Sequence, residues 1–125
     1  MNEMNYNEIA SLIVDLLPEE WSKVAFFAQY FDGSYLMKFY ADCGDGKYTD
    51  CYLLPDVSDD DIYNTFSAIN KLIKPVYSSL DKKDKWSVMT ILFSCDGNFR
   101  TEYEYKDISE TSIAYIMEWK KKYLI

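Results

Sequence analysis

The chain has 125 residues, 49% of them apolar, which suits a single domain (residues 1–125) with a real hydrophobic core. It carries 21 acids against 13 bases and no histidine, for a net charge of −8. That charge opposes nucleic acid and anionic membranes at long range, and the missing histidine removes the commonest general base and transition-metal ligand.

Residues 3–17 place Ile9, Leu12, Ile13 and Leu16 at helical spacing, and Pro18 ends this first helix. The same stretch lacks a basic leader region and carries acids among its apolar residues, so it is not a secretory signal, and the chain is expected in the cytosol. No run approaches the roughly 18 apolar residues that span a bilayer. Pro18-Glu19-Glu20-Trp21 reads as a corner that Trp21 plugs onto the sheet.

From Lys23 the period changes to two. Residues 23–31 form a strand with apolar side chains on both faces, Asp32-Gly33-Ser34 is a hairpin turn, and residues 34–42 return as a second strand. Cys43-Gly44-Asp45-Gly46-Lys47 is a second turn. Residues 50–54 make a short third strand, ended by Pro55. Ser58 then caps a long helix whose first turn holds Asp59, Asp60 and Asp61 at the positive end of its dipole. Ile62, Phe66, Ile69, Ile73, Val76 and Leu80 follow as one apolar stripe, and Pro75 is expected to kink or split the helix near Lys74.

Residues 86–95 are an apolar strand and Asp96-Gly97-Asn98 a tight turn. In the strand 99–105, Phe99, Thr101, Tyr103 and Tyr105 alternate with Arg100, Glu102 and Glu104, which predicts one core side and one wet side. Ser109 or Thr111 caps a last helix, with Ile113, Ile116, Met117 and Leu124 as its apolar contacts, and Lys120-Lys121-Lys122 suits its negative end. The order of elements is α-β-β-β-α-β-β-α. It predicts an α+β domain with a five-stranded antiparallel sheet and helices mainly on one face.

No catalytic constellation emerges. Nucleophile–histidine pairs are impossible, and the loop 43–47 has glycines and a lysine but no helix directly after it to receive a phosphate. The acids lack the ligand spacing of a calcium loop. No metal or cofactor is expected. The three cysteines form no C-x-x-C pair and read as small, mostly buried thiols.

What remains is a surface. Residues 32–61 hold eight aspartates and two lysines, a net −6. The chain also has 12 tyrosines, more than a sheet with one covered face needs for packing. Phe27, Tyr40, Tyr48 and Tyr52 are open to two readings, core packing or display on an uncovered sheet face. Tyrosine among acids is the composition of a protein-binding patch.

Residues 93–124, FSCDGNFRTEYEYKDISETSIAYIMEWKKKYL, taken with Leu-Pro-Glu-Glu-Trp at 17–21 and the strand and turn of 28–40, resemble the YezG-type family of bacterial immunity proteins, or antitoxins. Every matching element is a turn, a strand, a cap or a packing position. The resemblance implies a single α+β domain that is not an enzyme and that binds and silences a cognate toxin, usually a secreted nuclease. Residues 42–54 are more compact than the family's second hairpin, and contact residues are not carried over, because immunity proteins are specific to their own toxin.

The expected mechanism follows from charge. Asp42, Asp45, Tyr48, Asp50, Tyr52, Asp56, Asp59, Asp60 and Asp61, with Glu102 and Glu104, are the candidate toxin-binding residues, set to meet a basic active-site or substrate-binding face. The rival reading is an adaptor or chaperone-like module that escorts an exported protein without inhibiting it.

Overall fold

The computed structural model describes residues 3–31 and 34–124. Asp32 and Gly33, where the first hairpin turn was expected, lie outside the described residues. The first helix, α1 (Tyr6–Val14), starts where the Asn5 side chain accepts the Glu8 N–H at 3.1 Å. It is shorter than the expected 3–17. The N–H groups of Leu16 and Leu17 bond back three residues, to the carbonyls of Ile13 and Val14, and this tightening closes the helix before Pro18. Trp21 closes the following corner edge-on against Phe93, with ring centres 5.8 Å apart.

Strands β1 (Lys23–Phe31), β2 (Ser34–Asp42) and β3 (Tyr48–Asp50) form one antiparallel meander, and β4 (Val88–Ser94) and β5 (Phe99–Glu104) a second. Antiparallel pairing of β1 with β4 joins them into one sheet of order β3-β2-β1-β4-β5. The element order and the α+β class are those expected from the sequence. β1 is the central strand, which explains its apolar residues on both faces.

The third strand starts two residues before the expected 50–54 and ends four residues before it. Asp50 Oδ1 accepts the Tyr52 N–H at 3.0 Å and starts a 3-10 turn over Cys51–Leu53, which takes these residues out of the ladder. Helix α2 (Asp59–Ser78) begins with a reciprocal capping box. Ser58 Oγ accepts the Asp61 N–H at 3.0 Å, and Asp61 accepts the Ser58 N–H at 3.2 Å. The helix runs unbroken through Pro75 to Ser78, so the expected split does not occur. Pro75 lies in the last turns, where its missing N–H costs a single bond, and the buried stripe Ile62, Phe66, Ile69 and Ile73 holds the helix on the sheet.

There are two cores. Helices α1 and α2 pack on one face of the sheet, over Phe26, Phe39, Met89 and Ile91. Helix α3 (Ser112–Tyr123) packs on the other face, over Ala25, Phe27, Tyr40 and Val88. Two helices thus share one face, as expected, and the third covers the face that the sequence reading left open.

The contacts of α3 also differ from expectation. Ile113 and Met117 are exposed; the buried residue of the helix is Trp119. Its ring packs edge-on against Phe27 at 5.3 Å and tilted against Tyr40 at 5.8 Å, and its Nε1–H donates to Thr90 Oγ1 at 2.8 Å. Neither Ser109 nor Thr111 provides a side-chain cap to α3. Of the cysteines, Cys51 is buried and its thiol pushed up to about 11, chiefly by desolvation. Cys43 is half-buried, and Cys95 is exposed, unlike the buried thiol expected there.

Candidate binding face

The eleven candidate residues separate into four settings. Asp42 is only 4% exposed. Its Oδ1 accepts the N–H groups of Gly44 at 2.9 Å and Gly46 at 3.1 Å, and these bonds hold its carboxyl below the usual carboxylate range against the opposing effect of burial. Both glycines have positive φ, 106° and 79°, which lets the loop curl its amides around the carboxylate. Asp42 is therefore the frame of the 43–47 loop and not a surface charge. Asp45, in the same loop, is exposed and accepts the Lys47 N–H at 3.1 Å.

Asp50 is committed on both oxygens. One accepts from the Lys38 ammonium, the other from the Tyr52 N–H. Burial alone would raise the Asp50 pKa, but the Lys38 and Tyr52 hydrogen bonds bring it below the ordinary value. Burial likewise pulls Lys38 down, and the bond to Asp50 overcomes it and leaves Lys38 raised. Tyr48 is half-buried, with the Lys23 ammonium 5.0 Å from its ring centre.

Glu102 and Glu104 lie on β5, at the far edge of the sheet from β3. Four strand spacings separate the two edges, roughly 19 Å. Glu102 pairs with Arg100 at 2.8 Å and with Lys122 of α3 at 3.9 Å, and Glu104 accepts the Tyr105 N–H at 3.1 Å. These two acids do not join the aspartate group, and the side of β5 expected to be wet is half-covered by α3. The aromatics divide in the same way. Phe27 and Tyr40, candidates for an open sheet face, are buried beneath Trp119.

What does assemble is one edge. The Cys51–Leu53 turn packs against the start of α2. It presents Tyr52, 47% exposed, and Leu53, 75% exposed, beside the first turn of the helix. Tyr63, 69% exposed, stands one turn further along. Around them are the exposed aspartates Asp56, Asp59, Asp60 and Asp61. Asp61 is used in the cap, whereas Asp56, Asp59 and Asp60 make no ion pair among the described residues. The Asp59 charge reaches the Tyr52 phenol and helps raise its pKa, behind desolvation and Cys51. Asp56 adopts φ 61°, a left-handed conformation that aspartate tolerates better than most residues.

Leu53 and Tyr63 are missing from the residues read from the sequence. Tyr63 carries a visible signal: it is an aromatic one position off the apolar stripe of α2, on the polar side. Leu53 carried none, because it was placed within a strand.

A family described as "Immunity protein YezG-like" matches residues 1–124. The chain belongs to the YezG-like immunity protein family. Immunity protein YezG of Bacillus spizizenii is similar to it, 24% identical over 109 residues, which are 82% of this chain and 68% of the relative. The resemblance read from residues 17–21, 28–40 and 93–124 is thus borne out across nearly the whole chain. Among the described residues, no helix of this YezG-like domain is long and apolar enough to cross a membrane.

Proposed function

We propose that this protein binds a cognate bacterial toxin and neutralises it by covering a basic surface, with a secreted nuclease as the class of target. The observation that supports this reading is the acidic–aromatic edge. Tyr52, Leu53 and Tyr63 offer exposed apolar area, and Asp56, Asp59 and Asp60, with Asp45 in the neighbouring loop, carry negative charge with no cationic side-chain partner among the described residues. Membership of an immunity-protein family supplies the role, and the edge supplies the chemistry. Aromatic area gives a long-lived complex, and negative charge steers a cationic partner and takes positions that phosphates would occupy on a nuclease. The domain then acts as a cover and performs no chemistry of its own.

Of the eleven residues read from the sequence, Asp45, Tyr52, Asp56, Asp59 and Asp60 remain as contact candidates. Asp42, Asp50 and Asp61 are assigned to the frame that holds the edge in shape.

Co-expression with the toxin domain from the neighbouring locus tests the reading. An immunity protein restores growth and co-purifies with the toxin. Growth that stays blocked while only export or solubility of the neighbour changes identifies an escort instead.

A further inference from the structure

Strand β5 is the outer strand on one side of the sheet, and the phase of its ladder fixes which of its backbone groups face out. At the turn between β4 and β5 the Ser94 N–H donates to the Asn98 carbonyl at 3.0 Å, and at the far end the Ser87 N–H donates to the Glu104 carbonyl at 2.6 Å. Antiparallel bonding alternates along a strand. Arg100, Glu102 and Glu104, opposite Leu92, Thr90 and Val88, therefore turn their backbone groups toward β4. The N–H and C=O groups of Phe99, Thr101 and Tyr103 point away from the sheet, and none of them bonds another backbone group among the described residues. The open run stops there, because the Tyr105 N–H, next in the same phase, is taken by the Glu104 carboxylate at 3.1 Å.

An open strand edge is a template for another strand. An outward run centred on Thr101 has one best match, an antiparallel copy of β5 related by a twofold axis at Thr101. Thr101 then exchanges both hydrogen bonds with Thr101 of the copy, and Phe99 exchanges both with Tyr103. Every outward group of both strands is satisfied.

The side chains select the same register. Arg100 falls opposite Glu102 of the copy, at the positions without hydrogen bonds, where facing side chains come closest. On the α1 face the exposed Phe99 falls beside Tyr103 of the copy. Sliding to the next register of the same pleat loses hydrogen bonds in either direction. It also sets Arg100 against Arg100, or Glu102 against Glu102. The edge is complementary to itself, which favours a second copy over a foreign strand.

We propose that β5 is a self-association edge, at which two copies of this chain join by antiparallel pairing about Thr101 into one continuous sheet. The acidic edge lies on the β3 side, so each copy keeps its own exposed. The inference stands independently of toxin binding.

Sedimentation equilibrium of the full chain, from about 1 µM to about 1 mM, tests it. Salt is held at about 0.15 M, which screens charges beyond about 8 Å and leaves the contact pairs in force. This matters because each copy carries a net charge of −8. The expected result is a monomer–dimer equilibrium. Thr101→Pro removes the central outward N–H, spares the bonds to β4, and should abolish the dimer. Arg100→Glu and Glu102→Arg should each weaken it at least about tenfold, because each sets like charges at both symmetric positions. The two changes together restore opposite charges and should return the affinity to within about threefold of the unaltered chain. Thermal melting of each variant checks that it folds.

A chain that is monomeric at every concentration overturns the proposal. So does a dimer that survives Thr101→Pro, or a combined variant that associates no better than the single ones. A lone monomer whose toxin binding is lost in Thr101→Pro also overturns it and gives the edge to a strand of the toxin. If Thr101→Pro does not fold, the charge series decides the matter.

Discussion

Asp50 holds Lys38 with one carboxylate oxygen and the backbone N–H of Tyr52 with the other. The first contact fixes the end of β3 against β2; the second begins the turn that presents Tyr52 and Leu53. One side chain thus converts a strand edge into a display of apolar area.

Replacing Asp50 with alanine should cost about 1 kcal/mol, the usual worth of a cap, with some addition for Lys38 left half-buried without its partner. The sharper effect should be on binding, because Tyr52 and Leu53 lose their fixed position. Urea unfolding and toxin titration of Asp50→Ala, compared with Asp45→Ala, check this. Equal loss of affinity in the two variants would count against a shaping role for Asp50.

Asp42 makes a prediction about acid. Its folded-state pKa is lowered by the Gly44 and Gly46 amides. A lowered carboxylate contributes stability that is fully present above the unfolded-state value, about 3.9, and is lost as pH falls through the folded value beneath it. Asp42→Asn should therefore flatten the loss of stability below about pH 4, and should lower stability near neutral pH by about 1–3 kcal/mol. Denaturation midpoints measured from pH 2 to pH 7 decide it. An unchanged acid limb would show that this carboxylate carries no special load.

Much of this fold was legible because period and punctuation agreed: β1 and β2 stand with the bounds read, β4 and β5 fall within those read, and the Ser58 cap with its stripe Ile62, Phe66, Ile69 and Ile73 stands as read. The failures have local physical causes. Asp42 and Asp45 sit three residues apart in one polar segment, and only the curl of Gly44 and Gly46 makes the first a buried frame and the second a surface charge. The third strand was misplaced because a side-chain bond from Asp50 outcompetes the ladder. In α3, Ile113 and Met117 mimic a core face by their four-residue spacing, while Trp119 with Tyr115, Ile116 and Tyr123 forms the real one. A short helix with apolar residues all round does not announce which side it buries. That ambiguity concealed the second core and left Phe27 and Tyr40 as false surface candidates.

Trp119 should accordingly dominate the α3 face. Trp119→Ala is expected to cost about 3–5 kcal/mol through the cavity left over Phe27 and Tyr40. Trp119→Phe keeps much of the packing but strands Thr90 Oγ1, a loss of about 1–3 kcal/mol. Ile113→Ser and Met117→Ser should each change stability by less than about 0.5 kcal/mol. Chemical denaturation of the four variants tests the ranking, and a large loss from Ile113→Ser or Met117→Ser would mean that α3 buries its other side.

The acidic edge predicts a division between rate and lifetime. Asp59 and Asp60 lie in the first turn of α2, so reversing them to lysine also opposes the helix dipole, by about 0.3–1 kcal/mol each. Asp59→Asn and Asp60→Asn are therefore measured beside the lysine variants, and a stability check separates the two effects. With the cognate toxin, Asp45→Lys, Asp59→Lys and Asp60→Lys combined should slow association at least about tenfold at low salt, with the gap closing as salt rises. Tyr52→Ala and Tyr63→Ala should leave association nearly unchanged and shorten the lifetime of the complex, by about thirtyfold where the tyrosine contributes about 2 kcal/mol. Asp42 is kept out of the charge series because its loss would unmake the loop. Stopped-flow association at several salt concentrations, paired with dissociation measurements, reads both quantities. If charge reversal leaves association untouched and neither tyrosine alters dissociation, the partner does not dock on the edge built by the Cys51–Leu53 turn and the start of α2.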